Sequence, residues 1–327
     1  MLSNEDEYQN KPFIITVDTE EDNAWIKSDN PTTNNLLFLE RFQCLCQSYG
    51  FKVTYFVNYP AVKCKYYVNV AKKWIEDGFA EVGMHLHAWN TPNLYTDTLW
   101  KNSKGYIYEY PYEVMIKKTE NMLSTLQNTF ETAISSHRSG RWGLSRFYID
   151  KLAAMGIRVD SSVTPNINWK NSVGLYRNNG GNDYRAFPSM PSILHDKDGY
   201  PQILEMPMTS VLDVYDEKIN AISRIKYIRR FVSRKYPNPL LFYPSGYNVE
   251  SLMRCSDHIY GSKIPYLMMA IHSSELMPGC SPLFQSEESI ESLYCDLEKI
   301  FKHIMGRYHG CTVTQFAKSY SPNLFEK

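Results

Sequence analysis

Carboxylate and imidazole side chains stand directly after two of the apolar runs in this 327-residue sequence. Asp18 and Glu20 follow the first run, and His85 and His87 follow a later one. Residues two positions apart in an extended segment point to the same side, so each pair can act on one ligand. Imidazole nitrogens and a carboxylate oxygen suit zinc and related divalent metals. The spacing therefore predicts a metal site that uses the two histidines and one carboxylate, while the other carboxylate accepts a proton.

Both pairs also have a simpler interpretation. Asp18 and Glu20 could belong to an acidic loop at a helix N-terminus, where the helix dipole favours negative charge. Of His85 and His87, one could be satisfied in the core and the other exposed at the surface. Two histidines at this spacing after an apolar strand favour metal binding over that alternative.

His272 follows a further apolar run, and Arg138 follows a short strand predicted at 133–137. A histidine at the rim of a site can protonate a departing amine. A guanidinium at a strand end can hold a carboxylate such as that of Asp18 with two hydrogen bonds. The alternatives are a histidine that caps the next turn and an arginine in a structural salt bridge.

The elements that must position these residues alternate between strand and helix patterns. Parallel strands need such helical crossovers, so we predict an α/β fold, a distorted (β/α) barrel with about seven parallel strands, as a single domain over 1–327. Active groups gather at the carboxyl ends of parallel strands, where the charged residues stand. The predicted strands are 13–17, 52–57, 80–84, 133–137, 157–159, 203–206, 240–243, 266–271 and 311–314, and the predicted helices are 34–49, 67–77, 112–130, 145–155, 217–234, 248–260 and 286–305.

The stretch at about 166–202 departs from this alternation. It is rich in Asn, Gly, Pro and Tyr and shows no periodicity. Long loops in compact domains are usually functional or disordered. We therefore expect this excursion to border the site.

The composition argues against several classes of partner. Lysine plus arginine and aspartate plus glutamate number 35 each, so no basic excess points to nucleic acid or an anionic membrane. No apolar run reaches the roughly 18 residues of a membrane span. The polar, acidic N-terminus and seven dispersed cysteines predict reduced thiols in a cytoplasmic protein. Neither a Gly-rich phosphate loop nor a Gly-x-Ser-x-Gly frame is present.

In chain order, these strand ends resemble the motifs of the polysaccharide deacetylase family, the NodB-homology proteins of carbohydrate esterase family 4. The resemblance runs from about residue 13 to about 317 and lies in the segments 16–20, 81–89, 137–143, 160–165 and 270–279. It implies that Asp18 is the general base, that Arg138 orients it and that His272 is the general acid. It also implies that a backbone N–H near Trp142 stabilises the oxyanion.

The second of these segments departs from the family pattern. The family places two histidine ligands four residues apart, but Trp89 stands four residues after His85. His87 is the nearest substitute. The resemblance therefore implies one of two things: a divalent ion, zinc before cobalt, nickel or iron(II), held by Glu20, His85 and His87 in altered geometry, or a degenerate metal site.

We predict a metal-dependent hydrolase that removes an N-acetyl or other acyl group from a sugar or glycan intermediate. One alternative is a metal-free C–N hydrolase of the allantoinase-like type, which Trp89 suggests, and another is a non-catalytic glycan-binding protein. A glycosidase with two carboxyl groups among Glu20, Asp160, Glu205 and Glu275 is a third. The residues expected to contact the substrate are Trp89, Trp142, Asp160 and Glu275, with Trp25 as a further stacking surface.

Overall fold

The computed structural model describes residues 10–26, 28, 30–92, 104–175, 180–213 and 238–326. Strands and helices alternate along most of these ranges, as the sequence predicts. The strands are β1 (Lys11–Thr19), β2 (Val53–Val57), β3 (Ala80–Leu86), β4 (Ser136–Ser139), β5 (Val159–Asp160), β6 (Ser192–His195), β7 (Pro201–Glu205), β8 (Ser210–Asp213), β9 (Asn238–Leu241), β10 (Leu267–His272) and β11 (Tyr308–Gly310).

Four of the eight α-helices among the described residues begin where the sequence supplies a capping side chain. Asn58, Ser145, Ser286 and Thr312 each accept a hydrogen bond from a backbone N–H in the first turn of the helix that follows. Short 3-10 helices lie at Asn34–Phe38, Ile107–Glu109, Gly140–Trp142, Ser273–Leu276 and Pro322–Leu324. The α-helices are α1 (Leu39–Ser48), α2 (Tyr59–Val62), α3 (Lys65–Glu76), α4 (Tyr112–Phe130), α5 (Arg146–Ala154), α6 (Val249–Tyr260), α7 (Glu287–Ile304) and α8 (Val313–Tyr320).

The main sheet has the strand order β10-β1-β2-β3-β4-β5-β7-β6, with β11 also paired to β1. Every neighbouring pair is parallel except β6 and β7. The sheet is curled into a half-barrel, which confirms the predicted distorted (β/α) barrel. Strands β7 and β10 do not pair, and Thr209 and Phe242 bond to β10 instead. Met268 N–H donates to the side-chain Oγ1 of Thr209 at 2.8 Å, and Ala270 N–H donates to the Phe242 carbonyl at 3.2 Å.

Apolar side chains form two cores. The larger one lies between the sheet and the surrounding helices, and the smaller one fills the inside of the barrel. Helix α8 closes the amino-terminal end of the strands, because Val313, Phe316 and Ala317 belong to the inner core. Glu81 accepts hydrogen bonds from the backbone and side chain of Thr314 at 2.8 and 2.6 Å and fixes that helix to β3. The carboxyl-terminal end of the barrel is left for the site.

Several predicted elements differ from the structure. The predicted strand 311–314 is wrong, because Thr312 and Gln315 form a capping box that starts helix α8, and strand β11 ends before it. Strand β6 lies within the excursion 166–202, and neither it nor β8 was predicted. The predicted helix 217–234 lies outside the described residues. Within the described part of the chain, no helix has the length and apolar character needed to cross a bilayer.

Candidate active site

A cavity of about 800 Å³ opens at the carboxyl-terminal ends of the strands. The structure brings most of the predicted residues to it, although Arg138, Asp160 and Glu275 do not line it. The predicted residues along its wall are Asp18, Glu20, Trp25, His85, His87, Trp89, Trp142 and His272.

The side chains of Glu20, His85 and His87 converge on one point in this cavity. Glu20 Oε1 lies 2.7 Å from His85 Nε2 and 3.1 Å from His87 Nε2. One donor atom from each residue lies within 4.8 Å of the others, and all three residues are buried. Two imidazoles and a carboxylate in this arrangement fit a divalent transition metal.

Hydrogen bonds orient the first of these histidines. His85 Nδ1 lies 2.9 Å from the carbonyl oxygen of Arg138, which can only accept, so Nδ1 carries a hydrogen. In the neutral ring, Nε2 then has the lone pair and faces Glu20, as a metal ligand requires. Burial alone would raise the pKa of Glu20, but His87 and His85 hold it well below its usual range.

Packing contacts with neighbouring residues, and not a hydrogen bond to Nδ1, set the position of the His87 ring. Its ring stacks on that of Trp89, with 4.2 Å between centroids and 27° between planes. Its Nδ1 is buried without a hydrogen-bond partner among the described residues. A Cβ atom on Gly140 would lie 2.3 Å from His87 Cδ2. The His87 ring can therefore lie beside Glu20 and His85 only because residue 140 has no side chain.

Asp18 is the second buried carboxylate of the cavity. Arg138 Nη1 donates to Asp18 Oδ1 at 2.7 Å and to Thr16 Oγ1 at 2.9 Å. Arg138 is fully buried on β4 and reaches across the barrel interior to β1, three strands away in the sheet order. Burial alone would raise the pKa of Asp18, but Arg138, His85 and His272 hold it below its usual value.

His272 ends strand β10 on the other side of Asp18. Its Nε2 lies 3.8 Å from Asp18 Oδ2, and the ring of Trp25 packs on it with 5.0 Å between centroids. Burial disfavours the protonated ring, but the Glu275 carboxylate, 3.6 Å from Nδ1, and the charges of Glu20 and Asp18 outweigh it and raise the pKa of His272 to about 9. The ring is therefore held in its proton-carrying form.

The acidic run after β1 divides its side chains among different tasks. Glu21 bonds to the side-chain amides of Asn58 and Asn90 and so joins the loops that follow β2 and β3. Asp22 accepts the backbone N–H groups of Asn34 and Asn35 and orders the loop that enters the 3-10 helix Asn34–Phe38. The interpretation of an acidic loop at a helix start therefore applies to Asp22.

Asp160 lies outside the cavity, on the outer face of the sheet. It is the register partner of His137, which is adjacent to the inward-facing Arg138 and so points the opposite way. Asp160 Oδ1 lies 2.5 Å from His137 Nδ1, and both side chains are fully buried. Burial and the charge of Asp160 raise the pKa of neighbouring Glu205 well above its usual value. Of the four carboxylates named for the glycosidase alternative, Glu20 lines the cavity and Asp160, Glu205 and Glu275 do not.

Sequence reasoning gave no site role to ten residues of the cavity wall, of which the large polar and aromatic ones are Lys104, Arg141, Trp169 and Tyr243. Trp169 belongs to the excursion that was expected to border the site. Tyr243 stands at the end of a predicted strand, and this position was the available signal. A tyrosine side chain has neither a charge nor an imidazole, so the charged and imidazole groups at strand ends do not point to it.

Two consecutive residues at the cavity, Arg141 and Trp142, have φ values of 60°, in the left-handed region. Such a backbone costs about 1–3 kcal/mol for each non-glycine residue and persists only where the surroundings hold it. The Arg141 guanidinium donates to the carbonyls of Lys104 and Val173, and Tyr184 Oη donates to the Trp142 carbonyl at 2.6 Å. These contacts fix the strained turn and the indole beside Arg138.

Solved structures with the same architecture define the class of fold. A protein described as a candidate polysaccharide deacetylase from Mycobacterium smegmatis matches with a TM-score of 0.57 and 13% identity over 96% of this chain and 92% of its own. Puue allantoinase matches with a TM-score of 0.54 and 13% identity over 95% and 89%. The 4-alpha-glucanotransferase from Thermococcus litoralis matches with 0.53 and 12% over 96% of this chain but 41% of its own.

The chain therefore has the NodB-like deacetylase fold, as its strand-end motifs predicted. At identities this low the matches establish the fold alone, and the reaction has to be inferred from the chemistry of the cavity. No protein-family model and no curated protein sequence matches the chain.

Proposed function

We propose that the protein is a metal-dependent hydrolase that removes an N-acetyl, or another acyl, group from a sugar or glycan intermediate. The proposal depends on one observation. Three side chains of the kind that bind divalent metals, those of Glu20, His85 and His87, share a cavity with two further groups. These are the Asp18 carboxylate, which Arg138 binds, and the imidazole of His272 opposite it. The fold supports the proposal, because the same architecture occurs in a protein described as a candidate polysaccharide deacetylase.

Glu20, His85 and His87 would hold the ion, for which zinc is the first expectation and cobalt, nickel or iron(II) are alternatives. A divalent ion bound there polarises an acyl carbonyl and lowers the pKa of water. The protein contributes two features to this site. The hydrogen bond between His85 Nδ1 and the Arg138 carbonyl turns Nε2 toward the ion position, and the lowered pKa of Glu20 favours its ionised form.

Asp18 accepts a proton from the attacking water in this proposal. Arg138 keeps Asp18 ionised and in place through its 2.7 Å bond to Oδ1. His272 carries a proton on the opposite side and donates it to the nitrogen as the C–N bond breaks. The products are a free amine on the sugar and the carboxylic acid, and the proton taken by one residue balances the proton given by the other.

The aromatic walls of the cavity suit a sugar substrate. Trp25, Trp89, Trp142 and Trp169 line it, and amphipathic rings of this kind pack well against sugar faces. Its volume of about 800 Å³ lies within the roughly 300–1,000 Å³ of small-molecule pockets. A short glycan, or one end of a longer chain, matches this size.

A second candidate is the opening of a cyclic ureide on the same fold. Trp89 stands where the family has its second histidine, and it stacks on His87. Puue allantoinase shares the architecture. The buried Glu20–His85–His87 group makes this candidate the weaker one, since metal-free ureide hydrolysis has no use for three converging donors.

The deciding experiment is elemental analysis of the purified protein, followed by assays of acetate release from N-acetylated sugars and of ureide hydrolysis. We expect about one equivalent of a divalent transition metal, lost in His87→Ala and kept in His309→Ala, which removes an exposed imidazole. Acetate release should disappear on chelation and return with the ion. No bound ion after zinc addition, together with ureide turnover, would overturn the deacetylase proposal.

A further inference from the structure

Two side chains beside His272 form a connected set of hydrogen bonds. His272 Nδ1 lies 2.9 Å from the hydroxyl oxygen of Tyr243, and that hydroxyl donates to Glu275 Oε1. The other oxygen, Glu275 Oε2, accepts the backbone N–H of His272 at 2.9 Å. Glu275 is fully buried. One oxygen of Glu275 therefore accepts a hydrogen bond from His272 itself, and the other accepts one from Tyr243, which contacts His272.

The direction of these hydrogen bonds fixes the position of one proton. A tyrosine hydroxyl has one hydrogen, and an ionised carboxylate can only accept. Since the Tyr243 hydrogen points to Glu275, the hydroxyl oxygen must accept from His272 Nδ1, which carries a hydrogen. In the protonated ring the second hydrogen is then on Nε2, and Nε2 is the nitrogen 3.8 Å from Asp18 Oδ2.

The barrel closure places Tyr243 at this point. The preceding residue, Phe242, has its backbone bonded to Ala270 of β10 and to Thr209, so Tyr243 lies beside the end of β10. Asn248 Nδ2 donates to the Tyr243 carbonyl at 2.9 Å and anchors the turn that follows. The hydroxyl is thus held by the same segment that covers the gap in the sheet.

We propose that Tyr243 and Glu275 are positioning residues that hold His272 in the Nδ1–H tautomer, so that Nε2 is the atom that exchanges a proton with the substrate. The tautomer follows from the hydrogen bonds alone. Its catalytic consequence rests on the proposed function, because the amine leaving group belongs to that function. The two parts are therefore tested separately.

Nuclear magnetic resonance of protein labelled with ¹⁵N-histidine tests the tautomer without any assay of activity. The signal of His272 is identified by its loss in His272→Gln, and spectra are recorded above the pH at which it titrates. We expect an Nδ1–H ring in the wild type and a shift toward Nε2–H, the form that free histidine favours, in Tyr243→Phe. Tyr266→Phe, which loses a buried hydroxyl bonded to the Pro207 carbonyl, should keep the wild-type tautomer.

Glu275→Gln reverses the hydrogen-bond polarity in an isosteric side chain. The backbone N–H of His272 requires the amide oxygen, so the amide NH₂ faces Tyr243, whose hydroxyl must then donate to His272 Nδ1. We expect this variant to adopt the Nε2–H tautomer. An Nε2–H ring in the wild type, or an unchanged tautomer in both variants, would overturn the assignment.

The catalytic part is tested with two leaving groups. An amine needs a proton to depart, whereas 4-nitrophenolate does not. Tyr243→Phe should lower kcat on an N-acetyl sugar by about 10-fold or more, with KM little changed, and leave 4-nitrophenyl acetate hydrolysis nearly intact. Equal losses on both substrates would assign Tyr243 a merely structural role. If the wild type releases no acetate from amides, the proposed function fails while the tautomer result stands.

Discussion

Asp18 and His272 are register partners on the neighbouring parallel strands β1 and β10, and their side chains face each other at 3.8 Å between Oδ2 and Nε2. Parallel pairing brings both residues to the same end of the barrel. Arg138 holds the far side of Asp18, and Tyr243 holds the far side of His272. Both side chains line the cavity, so a water and a scissile amide bound beside this pair can contact a group that takes a proton and a group that gives one.

Asp18→Asn and His272→Ala should each reduce kcat by about 10²- to 10⁴-fold, because each removes one of the two proton transfers. Steady-state kinetics on an acetylated sugar measures the loss. Metal content should be unchanged in both variants, in contrast to His87→Ala. The matched controls are Asp198→Asn and His309→Ala, which alter exposed side chains. Near-normal turnover in either site variant would show that the assigned role is wrong.

The strand-end residues were predictable because the pattern of strands and helices specifies parallel pairing. Asp18, His85 and His272 lie far apart in sequence, yet each follows an apolar strand, and carboxyl ends of parallel strands meet at one edge. The alternation within a strand also placed His87 beside His85. These are local signals that need no knowledge of the register.

The remaining contacts depend on the register between neighbouring strands and on how the barrel closes, and neither can be read from the sequence. Asp160 pairs with His137, so it faces outward under helix α5, and this is visible only once β4 and β5 are aligned. Tyr243 reaches His272 because the segment around Phe242 covers the gap beside β10. The run 311–314 has strand-like residues, but the hydroxyl of Thr312 caps a helix instead.

Asp160→Asn should lower the free energy of unfolding by about 1–3 kcal/mol while kcat and KM stay near wild type, because the buried hydrogen bond between His137 Nδ1 and Asp160 Oδ1 loses its charged acceptor outside the cavity. Urea denaturation and steady-state kinetics give the two readouts. Glu205→Gln is the matched control: burial and the charge of Asp160 raise the pKa of Glu205 and so favour its neutral form, which the amide resembles, and the loss should be smaller. A raised KM with unchanged stability in Asp160→Asn would instead show that Asp160 contacts the substrate.

Gly140→Ala should weaken metal binding by about 10- to 100-fold, because the added Cβ would lie 2.3 Å from His87 Cδ2 and displace the ring. Competition with a chromophoric chelator measures the affinity independently of activity. Gly261→Ala provides the control, since a Cβ there meets nothing closer than 3.8 Å. Wild-type affinity in Gly140→Ala would mean that His87 does not ligate the ion from its position beside residue 140.

Lys118→Met should change how stability depends on pH. Lys118 is buried in helix α4 with its ammonium bonded to the Thr91 carbonyl at 2.6 Å, and burial lowers its pKa to about 8. In the unfolded chain the pKa of Lys118 is 10.5, so between about pH 8 and 10.5 the unfolded chain still binds the proton that the folded chain has released. The free energy of unfolding of the wild type therefore rises with pH over this range, by roughly 3 kcal/mol relative to the variant. Urea denaturation at pH 7 and pH 10 measures the difference, and Lys117→Met, on the exposed side of the same helix, should show no such change. Parallel pH dependences for wild type and Lys118→Met would mean that Lys118 keeps an ordinary pKa and that its ammonium reaches solvent.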